Sequence, residues 1–372
     1  MKKRGLAVIY DPHNLYQFVW YYCNRGKERE WDALCLPNGY KGEYMHSYCE
    51  DAEIFQDIYR GEVDFSILPI SQKLKMFAAM SIYFITGRRK KYCKKIINQY
   101  VDVEKYDEFV VIADVGIVSG ACVALGKEKE VIILEDGIND YSSRSVFIPR
   151  KKVISLYAWQ GFILSLMGYC SPGWFRLSTD KNCIKYCSCP EKMQYKNYKE
   201  IRQLYSDENT DTVLQDSILR KMYPKLSDYD FSKADAVLIS RPLDDYVNAA
   251  DAYKRKLERF VADNYKSVIV KKHPREQEEY NFGTKVNVVE IDNSIPAEIL
   301  LPFLAGRDIL VTAASSILFY FKACGLTCKI ILFDGMYEES LNSNTKWKAP
   351  TVEEIKNFAD KFCENCYEIV LL

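Results

Sequence analysis

The residues best suited to chemistry gather at the ends of short apolar runs. Glu135-Asp136-Gly137 follows Val131-Ile-Ile-Leu134, which reads as a buried strand. At the carboxyl end of a parallel strand an acidic pair faces a ligand crevice, and the glycine lets the chain turn sharply. Adjacent carboxylates raise one another's pKa, which suits a general base; acid-acid-Gly after a strand is also ordinary turn chemistry. The second group, Lys271-Lys272-His273-Pro274-Arg275, ends the apolar run 267–270. Proline stops the strand and fixes the histidine at its rim. An imidazole among three cations suits an anion-binding group or a proton donor to a leaving phosphate, although a lone histidine is more often structural.

Two further groups suit a nucleotide. In Thr312-Ala-Ala-Ser315-Ser316 two serines open a helix and offer hydroxyls and backbone N–H groups to a phosphate; a plain N-cap is the other reading. Glu298, in Ser294-Ile-Pro-Ala-Glu298, either starts a helix or accepts hydrogen bonds from a ribose diol. His13 and Asn14 follow the first strand, where an acceptor-side role competes with a surface turn. Nothing points to a metal or a cofactor. Asp228-Tyr-Asp230 lies in a polar stretch and not after a strand, and Cys183, Cys187 and Cys189, with Cys170 upstream, lack the spacing of a common zinc module. Thirteen scattered cysteines read mostly as small buried apolar side chains of a reducing compartment.

Glu135-Asp136-Gly137, His273-Pro274 and Ser315-Ser316, in that order, resemble the motif set of the bacterial sialyltransferases with the GT-B fold. That group includes the lipooligosaccharide sialyltransferases and the capsular polysialyltransferases. Ser240-Arg241-Pro242-Leu243 is similar to their Thr/Ser-Gln-Pro-Leu loop, with Arg241 in place of Gln, and the Ile-Pro-Ala-Glu298 stretch looks like their nucleotide-binding helix. The likeness covers 230–325 and the short acidic motif. It implies a CMP-sialic acid donor, a glycan acceptor, and a metal-independent direct displacement with inversion. Glu135 would be the base, with Asp136 the other candidate, and His273 would assist the departing CMP phosphate. Ser315 and Ser316 would hold that phosphate, with Ser240, Lys272, Pro274 and Thr312 on the donor side and Glu298 on the cytidine.

The elements that must position these residues alternate. Strands are expected at 6–10, 109–114 and 131–135, with helices at 14–22 and 115–125. After a polar stretch, 170–230, read as helices and loops joining two halves, the pattern restarts. Strands are expected at 236–240, 267–271, 286–291, 309–312, 329–333 and 368–372, and helices at 244–264, 315–324 and 353–363. Short apolar strands followed by helices make parallel sheets covered on both faces. The expectation is an α/β GT-B chain: two Rossmann-like doubly wound domains, 1–228 and 229–372, facing a central cleft.

Bulk properties narrow the class. The 372 residues are 48% hydrophobic and 27% charged, as in globular domains, and Lys+Arg and Asp+Glu both count 51, so no global field favours nucleic acid. Local charge is less even: Arg88, Arg89, Lys90, Lys91, Lys94 and Lys95 crowd residues 87–95. A solvated helix face is the default reading, and contact with an anionic membrane or an acidic glycan is the functional one. The longest apolar stretch, 154–169, is interrupted by Gln160 and falls short of a span, and no secretory signal is visible, so a cytoplasmic chain, at most peripheral to the inner face of a membrane, is expected. Rival readings are a Kdo transferase, a CDP-glycerol glycerophosphotransferase, and an inactive glycan- or nucleotide-binding protein. The glycerophosphotransferases are expected to use a second essential histidine where this chain offers an acidic pair.

Overall fold

The computed structural model describes residues 3–36, 42–61, 70–112, 117–135, 180–193, 196–204, 211–273, 276, 279–312, 317–318, 321, 326–345, 348–363 and 365–372. They divide into two compact units, one up to Pro224 and one from Lys225 onward.

The first unit contains strands β1 (Arg4–Ile9), β2 (Glu30–Cys35), β3 (Phe55–Arg60), β4 (Glu108–Ile112), β5 (Glu130–Leu134), β6 (Ile184–Cys187) and β7 (Glu200–Gln203). They form one sheet in the order β3-β2-β1-β4-β5-β6-β7, and every pairing is parallel. Helices α1 (Pro12–Tyr21), α2 (Gly42–Asp51), α3 (Ile70–Ile85), α4 (Arg89–Ile97), α5 (Ile117–Ala124) and α6 (Thr212–Met222) accompany it. The second unit repeats the plan with β8 (Ala236–Ile239), β9 (Ser267–Lys271), β10 (Asn287–Glu290), β11 (Asp308–Thr312), β12 (Cys328–Leu332) and β13 (Tyr367–Leu371), ordered β10-β9-β8-β11-β12-β13 and again all parallel. Its helices include α7 (Ala250–Asn264), α8 (Met336–Asn342) and α9 (Val352–Phe362). In both sheets the strand order reverses between the first and fourth strands, the doubly wound Rossmann-like arrangement that collects ligands at the carboxyl ends beside the reversal.

The stretch 170–230 departs from expectation. It is not merely a joining region: β6, β7 and α6 belong to the first unit and extend its sheet. β2 and β3 were likewise not foreseen. Interior strands β2 and β6 each carry a charge that apolar patterning forbids, Asp32 and Lys185, both almost fully buried. Each charge is satisfied locally. Asp32 accepts from Tyr106 Oη at 2.7 Å and pairs with Arg4 at 2.9 Å, while Lys185 Nζ donates to the Leu134 carbonyl at 2.9 Å. β3 and β7 are edge strands with polar faces, as edges tend to be. In the second unit α7 starts later than expected, because Pro242 leads into a short 3-10 turn, Leu243–Asp245. The apolar stretch 154–169 and most of the helix expected at 315–324 lie outside the described residues.

Close packing fixes the β1–β2 pairing of the first sheet. Trp31 is fully buried, donates from Nε1 to the Gly26 carbonyl at 2.8 Å, and meets the Phe18 ring edge-on at 5.1 Å. Its indole lies flat over Gly5, where a Cβ would approach Cζ3 to 2.3 Å. No helix among the described residues is long and apolar enough to cross a membrane.

Candidate functional site

In the second unit, expected donor-side residues meet at the carboxyl ends of three adjacent strands. β8 is wholly buried and delivers Ser240, itself 2% exposed, whose N–H continues the ladder to the Lys271 carbonyl at 3.0 Å. The next residue bonds the other way: Arg241 N–H donates to Thr312 Oγ1 at 2.9 Å, so the fully buried Thr312 at the end of β11 ties that strand to the β8 loop. This link spans the point where the strand order reverses.

β9 delivers the basic group, and its cations are more internal than the sequence suggests. Lys271 is buried, donates to the Lys272 carbonyl, and is pushed down to about 8 by burial, with the Glu298, Asp292 and Glu276 carboxylates acting against that fall. Lys272, also buried, pairs with Glu290 at 2.9 Å. Two of the three cations expected around a phosphate are therefore engaged with carboxylates, Lys271 electrostatically and Lys272 in a direct ion pair. Glu298 sits buried in the first turn of a 3-10 helix, Ala297–Phe303, that starts after Pro296, and is the foremost of the acids acting on Lys271. Asp292 is held well below the carboxylate range, first by Lys225 at 2.8 Å and then by the Ser294 N–H.

The half-buried His273 leaves the strand in a turn closed by Glu276 N–H donating to the His273 carbonyl at 2.8 Å. The Glu276 side chain is a hub that sequence reasoning missed. Its Oε2 accepts from Ser240 Oγ at 2.6 Å and from the His273 N–H at 3.4 Å, and its Oε1 accepts from Tyr280 Oη at 2.5 Å. Burial, followed by the Glu276 charge, pushes the Tyr280 hydroxyl well up, so it stays a donor. The only sequence signal was an acid three residues beyond a histidine at a strand end. Pro274, Arg275, Ser315 and Ser316 lie outside the described residues.

In the first unit, Glu135 follows β5 and is fully buried. Oε2 accepts the Ser188 N–H at 2.8 Å and Oε1 accepts the Ser188 hydroxyl, so the end of β6 clamps the end of β5. A carboxylate so enclosed is held in place more than it is presented. Ser188, just past a strand interrupted by a lysine, gave no signal in the sequence. Asp136 lies outside the described residues. At the end of β1, Asp11 caps α1 by accepting the Asn14 N–H at 2.8 Å, and Asn14 Oδ1 accepts the Tyr10 N–H at 3.1 Å. The buried Asn14 thus closes the β1–α1 turn, and His13 is half-buried in the first helical turn.

Cys183 Sγ faces the Val123 carbonyl and Cys187 Sγ lies 3.1 Å from Met193 Sδ; among the described residues no three His, Cys, Asp or Glu side chains converge as metal ligands. Asp230 caps the 3-10 turn Phe231–Lys233 by accepting the Ser232 N–H.

The model of the alpha-2,8-polysialyltransferase family matches residues 89–332, more than half of the chain. No curated protein matches it in sequence. Among solved structures the chain is similar to the glycosyltransferase SnogD from Streptomyces nogalater (14% identity over 88% of this chain and 81% of that one, TM-score 0.46). It is also similar to MurG of Acinetobacter baumannii (12%, 99% and 86%, TM-score 0.46) and to UGT89C1 of Arabidopsis thaliana (11%, 98% and 91%, TM-score 0.48).

Proposed function

This chain belongs to the alpha-2,8-polysialyltransferase family and is a glycosyltransferase, and on that premise we propose that it moves a sialyl residue from CMP-sialic acid to a glycan hydroxyl by direct, inverting, metal-independent displacement. The observation that carries the donor half is the hub at the ends of β8 and β9: Glu276 binds Ser240 and the His273 backbone, holding the turn that carries the imidazole beside a basic strand end. In the proposed reaction His273 donates a hydrogen bond or its proton to the departing CMP phosphate as the bond from phosphate oxygen to the anomeric carbon breaks. Ser315, Ser316 and the Thr312–Arg241 link serve the phosphate, and Glu298 serves the cytidine. The base is one of the acid pair. Because Glu135 is fully buried with both oxygens engaged by Ser188, the proton of the acceptor hydroxyl is assigned to Asp136, and Glu135 becomes the group that anchors the loop.

A donor panel tests this reading. With CMP-sialic acid, CMP-Kdo and CDP-glycerol offered separately, only CMP-sialic acid is expected to turn over, and EDTA is expected to leave the rate unchanged. Turnover of CDP-glycerol alone would end the sialyl reading. Asp136→Asn is expected to lower kcat by about a hundredfold or more, as loss of a general base does, with CMP binding retained. Glu135→Gln is expected to cost less in kcat and more in thermal stability; the reverse order would return the base to Glu135.

A further inference from the structure

The corner between α3 and α4 carries features that sialyl transfer does not use. Along α3, Ser71, Lys75, Ala78, Ile82 and Ile85 are exposed at helical spacing, and this face turns apolar at its carboxyl end. Ile82 is 61% and Ile85 81% exposed, and no other large apolar side chain described here is as bare as Ile85. The corner is fixed by its backbone. Gly87 takes a φ of 68°, the left-handed conformation that ends a helix, the Arg88 N–H reaches back to the Tyr83 carbonyl at 2.8 Å, and Thr86 Oγ1 donates to the Ile82 carbonyl at 2.8 Å. Tyr83 and Tyr92 rings, 5.0 Å apart, pack the two helices together.

α4 sorts its cations into two sets. Tyr92, Cys93, Ile96 and Ile97 point inward. Lys90 and Lys94 are paired, with Glu128 at 2.7 and 3.2 Å and, for Lys94, Glu104 at 2.9 Å. Arg88, Lys91 and Lys95 are exposed, follow one another on one face, and meet no carboxylate among the described residues. Bare isoleucines on a rigid corner, flanked by unpaired cations, match a bilayer surface, where apolar groups enter the acyl boundary and cations meet headgroup phosphates. Two isoleucines offer far less than the roughly 800 Å² per partner of a stable protein interface.

We propose that this corner docks the protein on an anionic bilayer, with Ile82 and Ile85 inserted and Arg88, Lys91 and Lys95 on the lipid phosphates. The docking does not depend on the transfer reading. Flotation of the full chain with phosphatidylcholine vesicles, with and without phosphatidylglycerol, tests it. Binding is expected only to the phosphatidylglycerol vesicles and to weaken with salt. Ile82→Ser with Ile85→Ser is expected to weaken binding about tenfold or more, and Lys91→Gln with Lys95→Gln by about fivefold per charge. The positions being exposed, both variants should melt as the wild type does. Equal binding to neutral vesicles, undiminished binding by either variant, or capture of a free polyanionic glycan without vesicle binding would overturn the proposal. So would a dimer in solution that the isoleucine variant dissolves.

Discussion

Glu276 is the residue on which the donor side turns. Among the described residues its carboxylate accepts from three donors: the Ser240 hydroxyl, the Tyr280 hydroxyl and the His273 N–H. An amide of the same shape presents one oxygen and one NH2, so Glu276→Gln turns one partner hydroxyl from donor to acceptor and leaves its buried proton without this carboxylate. Leaving a buried polar group without its partner costs about 1–3 kcal/mol. If the hub holds His273 in place, Glu276→Gln is expected to lower kcat about ten- to a hundredfold with the KM for CMP-sialic acid little changed. Ser240→Ala should lower it less, because only one of the three bonds is lost. A change confined to thermal stability, with kcat intact, would show that the hub supports the fold alone. At this scale the sequence singled out His273 and Glu135 because each ends an apolar run, although Glu135 proves to be buried against Ser188. It hid Glu276 and Ser188, whose importance arises only from side chains brought together across strands.

Among the elements, legibility followed hydrophobic content. β1, β4, β5, β8, β9, β11 and β12 are interior strands made almost wholly of apolar residues, and periodicity found each of them. β2 and β6 were hidden by Asp32 and Lys185, whose charges are satisfied by Tyr106 and by the Leu134 carbonyl, partners distant in sequence that no local window contains. β3 and β7 were hidden by their polar residues, whereas the edge strands β10 and β13, which keep short apolar runs, were expected. The repeated strand order of the two sheets was therefore visible only in part, and the stretch taken for a joining region supplied two strands of the first sheet. Register between β1 and β2 has its own sharp requirement. Gly5 of β1 admits the Trp31 indole, and a methyl group there would stand 2.3 Å from a ring held by Gly26, Phe18 and Tyr21. Gly5→Ala is expected to destabilise the first unit by about 1–3 kcal/mol, the usual cost of overpacking, read as a lower melting temperature. Gly5→Ala combined with Trp31→Phe should recover part of that loss, whereas a backbone-entropy effect of the glycine would make the single variant more stable.

At the scale of the whole molecule the two units should answer pH in opposite senses between about pH 5 and 10, because each buries a group, Glu108 in the first and Lys271 in the second, whose burial shifts its titration into that range. In the first, Glu108 at the start of β4 is 1% exposed; burial pushes it up to about 7, although the Tyr21 hydroxyl at 2.5 Å and Arg29 at 2.6 Å pull it down. Its folded form holds a proton more tightly than the unfolded chain, whose carboxyl titrates near 4.5. The resulting stability is complete below about 4.5 and is lost as pH rises through about 7, at about 1.4 kcal/mol per unit of difference. In the second, the buried Lys271 is pushed down from 10.5 to about 8, so its contribution is complete above 10.5 and is lost as pH falls through 8. Raising the pH from 5 to 7 should therefore weaken the first unit, and raising it from 8 to 10 should strengthen the second. Urea unfolding followed by hydrogen exchange, which resolves the units, checks both slopes. Glu108→Gln is expected to flatten the first slope and leave the second, and Lys271→Met to flatten the second and leave the first. Flattening of both slopes by either variant would mean that the two units do not unfold independently.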